Sequence, residues 1–596
     1  MTPPPRTVMA RFMRAIHDFL LRALCSGACP RAAQARTRGR ASLDLRGGDR
    51  PCLSSESVFP YLAGQLNGKG TVAPIVRGAG TTESERYLAA LADKTFLDLW
   101  AYPNTYIDKK LRGQGDGKEL CDLLVVFGND VLIFSDKSIG WPEHADVNVS
   151  WIRWFKRAVE KSVDQIRGAE RWLKDFPERV FLDKACTQKL PMQLPPLQSR
   201  TVHGIAVVQG AESASQSYFG GEDRSLAIFS SLKGEDHKSP KGREFSPFMI
   251  GDVDPAGPFV HVFDRPALDL LMRELDTVGD FVQYIKLRAE AIRGGKIFAA
   301  NNEGELLAFY LQNEGKYGQH SFESKGESAA VSYFLPEGGY EALTLRPEYK
   351  AKIKANKISY NWDRLISLFT EHVLAGTSVT VVELVPEPAL AERALRIMAS
   401  ESRTRRRALS IAFVDVLEIT EIMEKDRYAR VVVPDKETDP EGAIYVFLIL
   451  AYPKDHVLDG GYEQYRRVRI GILETYCYAA LYEHRHLKRV VGIAFDASEK
   501  ITGRLGGSED LMAVEVDEWT DELIEEVRQR RELHDVMVPK RMKRREFRTQ
   551  EFPELHEDVA RLTRQQRRAA ERQERKESMK RALSKRRKSR RPKLTS

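Results

Sequence analysis

The sequence predicts a mixed α/β chain, with helices laid over sheets and a basic tail that has no core of its own. Three observations carry this. Short runs rich in β-branched and aromatic residues, such as Leu120–Phe127 and Ile444–Tyr452, alternate with longer stretches of helical spacing. Hydrophobic residues make up 42% and charged residues 30% of the 596 positions, a balance that can bury real cores. Beyond Val538 apolar residues thin out, and Lys and Arg take over. At about 100–200 residues per domain the length predicts two or three domains. We divide the chain into an extension over 1–79, a first α/β domain over 80–295, a second over 296–538 and a disordered or helical tail over 539–596.

Order is expected to begin at Thr82. Glu85 follows three residues later, a capping-box spacing, and Tyr87, Leu88 and Leu91 then recur at helical intervals. Phe96–Ile107 reads as an aromatic-rich strand. Leu120–Phe127 and Val131–Phe134, joined through Gly128-Asn129-Asp130, read as a hairpin. Apolar residues at 152, 155, 159, 163, 166 and 173 predict an amphipathic helix over Trp151–Leu173, and Val202–Val208 another buried strand. A loop is expected over Gly210–Pro247, then a strand at Phe259–Phe263 and a helix at Ala267–Ala291. In the second domain, strands are expected near Val379–Val385, Arg430–Val433, Ile444–Tyr452 and Val490–Phe495, with a helix over Tyr465–Tyr482 before the last.

Charge is distributed unevenly. The net charge is +8, yet residues 540–596 carry 22 Lys+Arg against 8 Asp+Glu, and residues 1–50 carry ten Arg against three Asp. The remainder is therefore acidic, at −13. Sequence-independent attraction to nucleic acid is thus expected of the tail, where neutralising phosphates is salt-sensitive. The Arg-rich start is transit-like in composition. Its apolar stretch Phe12–Leu24 is interrupted by Arg14, His17, Asp18 and Arg22, a poor secretory core, so it reads as an extension. The longest apolar run, Ala443–Tyr452, is half the roughly 20 residues that a membrane-spanning helix needs. Six cysteines form no CxxC pair, which points to a reducing, cytoplasmic setting. HExxH, GxSxG and GxGxxG are absent, and the Gly113–Glu119 stretch fails the phosphate-loop pattern and reads as a turn.

Candidate chemistry sits in the hairpin. Asp122 lies inside a buried apolar run, where an unpaired carboxylate is costly. Ser135, Asp136 and Lys137 end the next strand; by alternation Ser135 and Lys137 share a face, and Asp136 faces it only through a bulge. A carboxylate and a lysine on neighbouring strand ends suit metal-dependent phosphodiester hydrolysis: the acid holds a hard cation and the ammonium offsets developing negative charge. Lys137 could equally be a strand-end charge reaching solvent.

The order of a Glu-bearing helix, Asp122 in LCDLLVV, a strand ending in Lys137, a long helix and a strand resembles the αβββαβ core of the PD-(D/E)XK nuclease superfamily, notably its Mrr-like and NERD-like branches. The match covers about residues 80–210. The resemblance implies a restriction-endonuclease-like fold and a Mg2+- or Mn2+-dependent nuclease, possible roles in restriction or defence, and nucleic acid as partner, DNA ahead of RNA. Asp122 corresponds to the motif aspartate and Lys137 to the motif lysine. Ser135 departs from the pattern, standing where the family most often has Asp or Glu. Glu160 on the following helix is the first candidate to replace that acid, and Asp136 the second. Glu160 has a plainer alternative, pairing with Lys156 or Arg157. Glu83, one turn before Tyr87, is the candidate for the helix glutamate that supports the metal, because Glu85 is accounted for by the cap. The alternative function is a catalytically inactive member of the fold that binds nucleic acid or protein.

Overall fold

The computed structural model describes residues 75–553 except 111–115, 221–224, 243–244, 314–318, 324–330, 376–387, 421–426, 438, 452–460, 498–508 and 545–549. The strand expected over Val379–Val385, most of the 1–79 extension and the tail from 554 lie outside the described residues.

Helix α1 (Glu83–Phe96) starts as its cap dictates. The Thr82 hydroxyl accepts from the Glu85 amide while the Glu85 carboxylate accepts from the Thr82 amide. Phe96 closes this helix rather than opening a strand, and β1 runs over Ala101–Ile107. Strands β2 (Lys118–Phe127) and β3 (Asp130–Ser138) form the expected hairpin, with Phe127 paired to Asp130. Gly128 takes φ +58° at the first central position of the turn, a conformation that costs glycine nothing.

The long amphipathic segment folds as α2 (Val147–Phe155), a π-helical turn over Lys156–Glu160, and α3 (Lys161–Asp175). Strand β4 (Thr201–Gln209) then pairs parallel to β3, and β7 (Val260–Asp264) parallel to β4, giving a sheet ordered β1-β2-β3-β4-β7. One face buries Leu123, Val125, Leu132, Phe134, Ile205 and Val207 in the core that holds α1. The other buries Leu124, Val126, Val131, Ile133, Ala206 and Val208 in the core that holds α2 and α3. Covering on both faces explains why these strands read as unbroken apolar runs.

The expected loop over 210–247 contains helix α4 (Glu212–Phe219) and strand β5 (Ala227–Lys233), whose Ser-rich sequence hid them. The expected helix over 267–291 is two, α5 (Arg265–Glu274) and α6 (Val278–Arg293), and Thr277 caps the second through the Asp280 amide. A second sheet is ordered β6-β5-β8-β9, from β6 (Met249–Asp252), β8 (Ile297–Ala300) and β9 (Tyr333–Leu335). Because β5 pairs with β8, the expected boundary at 295/296 falls inside one sheet and marks no gap in the architecture.

A helical layer follows, which the sequence analysis did not anticipate: α7 (Glu303–Gln312), α8 (Gly339–Leu345), α9 (Pro347–Asn356), α10 (Tyr360–Leu374), α11 (Pro388–Ser400) and α12 (Arg403–Thr420). Trp362, Phe369 and Phe413 from this layer join the same core as Phe96 and Phe281. The third sheet is ordered β10-β11-β12-β13, from β10 (Arg427–Val432), β11 (Ile444–Leu450), β12 (Arg489–Asp496) and β13 (Glu509–Glu515). β11 and β12 are parallel, connected through α13 (Gly461–Glu483). Among the described residues no helix is long and apolar enough to cross a membrane.

Candidate functional site at the end of the first sheet

β3 and β4 run parallel, and their C-terminal ends lie beside the start of β2 and the first turn of α1. In open α/β sheets this edge is where ligands bind. Asp122 sits on β2 one residue before Leu123, which pairs with Phe134, so it lies across from Ser135. Its side chain is only 4% exposed. Through Oδ2 it accepts a 2.6 Å hydrogen bond from the Asp136 amide and meets the Lys137 ammonium at 3.5 Å. Its Oδ1 makes no hydrogen bond or ion pair among the described residues. Burial pushes the Asp122 carboxyl up to about 6; Lys137 and the Asp136 amide oppose the rise, and the charges of Glu119 and Glu85 add to it. Asp122 and Lys137 therefore converge on one face.

Ser135 shares that face but turns to the helix. Its hydroxyl donates to Gln165 Oε1 at 2.9 Å and lies 3.2 Å from the Ser162 hydroxyl. Gln165, which helical-wheel arithmetic sends to solvent, is thus part of the site. The π turn is the reason. Trp154, Ala158, Ser162 and Ile166 are all buried, a four-residue step that an ideal α-helix lets drift by about 40° each time. The π turn absorbs that drift and rotates the residues after it.

Glu160 is itself the last residue of the π turn, and its reading is corrected as well. It is half-exposed and pairs with Lys238, not with Lys156 or Arg157, so its carboxylate is engaged away from Asp122. Asp136 is corrected too. β3 pairs with both neighbours without a register shift, so there is no bulge to turn its side chain inward. The carboxylate instead meets Ser84 of α1 and accepts a 3.1 Å bond from Gln209 at the end of β4, on the face away from Asp122. Only the Asp136 backbone amide serves the site.

Glu83 is exposed. Leu88, Ala92 and Phe96 form the buried stripe of α1, and one step of four back lands on Ser84, not Glu83. The helix carboxylate whose charge reaches Asp122 is Glu85. It accepts from the Thr81 and Thr82 amides and, at 2.9 Å, from Asn104 Nδ2. Burial would raise its carboxyl, but these bonds outweigh burial and hold it below the usual range. Asn104 donates a second 2.9 Å bond to Glu119 Oε1. Sequence analysis missed Asn104, although an Asn in an otherwise aromatic strand is a signal of a left-handed residue.

The polar stretch Gly506–Leu511 of the sequence could also line a cleft, but its residues 506–508 lie outside the described residues. Glu509 and Asp510 belong to β13, where His372 and Arg469 engage them. Among the described residues no three His, Cys, Asp or Glu side chains are grouped to hold a metal ion by themselves. No family model, curated protein or solved structure matches the chain.

Proposed function

We propose that the unit from α1 to β4 is a PD-(D/E)XK nuclease-like domain that hydrolyses phosphodiester bonds in nucleic acid, DNA ahead of RNA, with Mg2+ or Mn2+. The observation that carries this reading is the convergence of Asp122 and Lys137, with Asp122 Oδ1 left open. The α-β-β-β-α-β order and the parallel pairing of β3 with β4 support it.

The donor set fits such a cation in one particular way. Mg2+ keeps several waters and is commonly bound by one or two carboxylates plus substrate phosphate, not by an all-protein cage. Asp122 would be the direct ligand, with Glu85 and Glu119 adding negative charge beside it. When bound, the cation would polarise the phosphate and acidify a water. The chain's own residues do the rest. The Asp136 amide fixes Asp122, and the half-buried Lys137 holds a positive charge beside it to offset charge developing on a phosphate oxygen. Ser135, bonded to Gln165, tethers the strand end to α3.

One observation favours a second reading, binding without cleavage: Ser135 has given its hydroxyl to Ser162 and Gln165, so no acid replaces it on that strand. Cleavage of plasmid and single-stranded substrates with Mg2+ or Mn2+ decides between them. Activity in the wild type that Asp122→Ala abolishes supports hydrolysis. Activity that survives the substitution removes the site, and binding without cleavage under either metal selects the second reading.

A further inference from the structure

Asn104 has three properties that are unusual together. It lies within β1 yet has φ +48°, a left-handed conformation, immediately before the register shift at Thr105/Tyr106. It is 4% exposed. Its one amide nitrogen donates to two carboxylates from different elements, Glu85 of α1 and Glu119 of β2, each at 2.9 Å. Two carboxylates sharing one donor repel each other; Glu85 is also held by the Thr81 and Thr82 amides, so it is Glu119 that would move away without the Asn104 amide.

Resting on the function proposed above, we infer that Asn104, which stands opposite Asp122 between the pairs Pro103–Leu123 and Thr105–Cys121, is a positioning residue of that site: by tying Glu119 to the capped Glu85, it makes up from the β1 side the negative charge that Ser135 withholds. A divalent cation held by Asp122 would then lie in the field of acids that are fixed in place. Partners one shell out from a metal commonly govern its affinity by 10–100-fold.

The backbone makes the test clean. A glycine at 104 adopts the left-handed conformation at no steric cost, so Asn104→Gly removes the amide and leaves the strand geometry intact. The experiment is Mn2+ titration of the full-length chain followed by electron paramagnetic resonance, with thermal unfolding of each variant alongside. Asn104→Gly is expected to weaken Asp122-dependent Mn2+ binding about 10–100-fold with little change in unfolding temperature. Glu119→Gln is expected to lower affinity in the same direction, and Asp122→Ala to abolish it. Wild-type affinity in Asn104→Gly, with the Asp122 dependence intact, overturns this inference alone. Wild-type protein that binds no Mn2+, or binds it equally well as Asp122→Ala, overturns the site itself and this inference with it.

Discussion

Two sheets of this chain present the same kind of edge and treat it in opposite ways. In the first, parallel β3 and β4 end beside Asp122, whose Oδ1 has no partner among the described residues and whose partner Lys137 is partly exposed. In the third, parallel β11 and β12 end beside Asp496 and Asp510, and both of these acids are answered by partners among the described residues. Arg469, fully buried, pairs with both acids, reaching Asp510 Oδ2 at 2.5 Å. Arg466 also bonds Asp510, while Tyr465 donates to Asp496 at 2.8 Å. An α/β strand end rich in acids is therefore no functional signal by itself. What separates the edges is compensation: the acids of the third sheet are closed into a buried network, whereas among the described residues Asp122 keeps one oxygen without a partner, the one that a cation would take under the proposed function.

The largest effect expected from this contrast is in the closed network. Arg469→Met strips a buried guanidinium from two buried acids, a change that typically costs about 3–5 kcal/mol. Calorimetry should show a large fall in unfolding temperature, with Mn2+ affinity at Asp122 unchanged at low temperature. A loss of metal or nucleic-acid binding without a loss of stability would reverse the assignment of roles.

At the open edge the sign is expected to invert. The folded-state carboxyl of Asp122 is raised to about 6, above an unfolded aspartate near 4. Its contribution to stability is therefore present below about pH 4 and is lost as pH rises through 6. Asp122→Asn keeps an acceptor for the Asp136 amide and never ionises. It should be more stable than wild type by about 1–3 kcal/mol at pH 7–8 and gain little at pH 4. The same ionisation predicts that wild-type Mn2+ affinity falls about tenfold per pH unit below 6. A destabilised Asp122→Asn would make this edge as structural as the other.

How much of this contrast the sequence discloses depends on range. The Thr82 cap, the hairpin and the Asp122–Lys137 convergence are local or follow from two-residue alternation, and alternation survives burial. Glu83 and Glu160 were misplaced, and the role of Gln165 was hidden, because helical-wheel arithmetic assumes an unbroken α-helix and a correctly chosen first residue. A π turn at Lys156–Glu160 shifts everything after it, and α1 is offset by one residue from the reading based on Tyr87. The compensation itself is illegible in one dimension. Arg469 meets Asp496 and Asp510 across 27 and 41 residues, and Asn104 meets Glu85 and Glu119 across 19 and 15. The helical layer from α7 to α12 escaped because the second domain was read mainly from its apolar, β-branched runs, and most of its helical segments were left unassigned.

A smaller effect tests whether α1 belongs to the open edge. Thr82→Ala removes a side-chain cap worth about 1 kcal/mol and loosens the turn that carries Ser84 and Glu85. Hydrogen exchange should rise in residues 83–88 and at the Asp136 end of β3, which Ser84 contacts, and leave β11 and β12 protected. Exchange that rises equally in both sheets would mean the edges are not mechanically distinct.

The smallest expected effect belongs to Glu160, and its smallness is informative. If the acid absent at Ser135 were supplied from the helix after β3, Glu160→Gln would weaken Mn2+ binding as strongly as losing a ligand. The structure gives that carboxylate to the mostly buried Lys238, which keeps Glu235 as a second partner when Glu160 is neutralised, so the loss is small. We therefore expect Glu160→Gln to leave metal affinity and cleavage unchanged and to shift the unfolding temperature by no more than a degree or so. A metal-binding defect in this variant would mean that α2 and α3 rearrange when the cation arrives, and that the open edge is completed from the α3 side and not from β1.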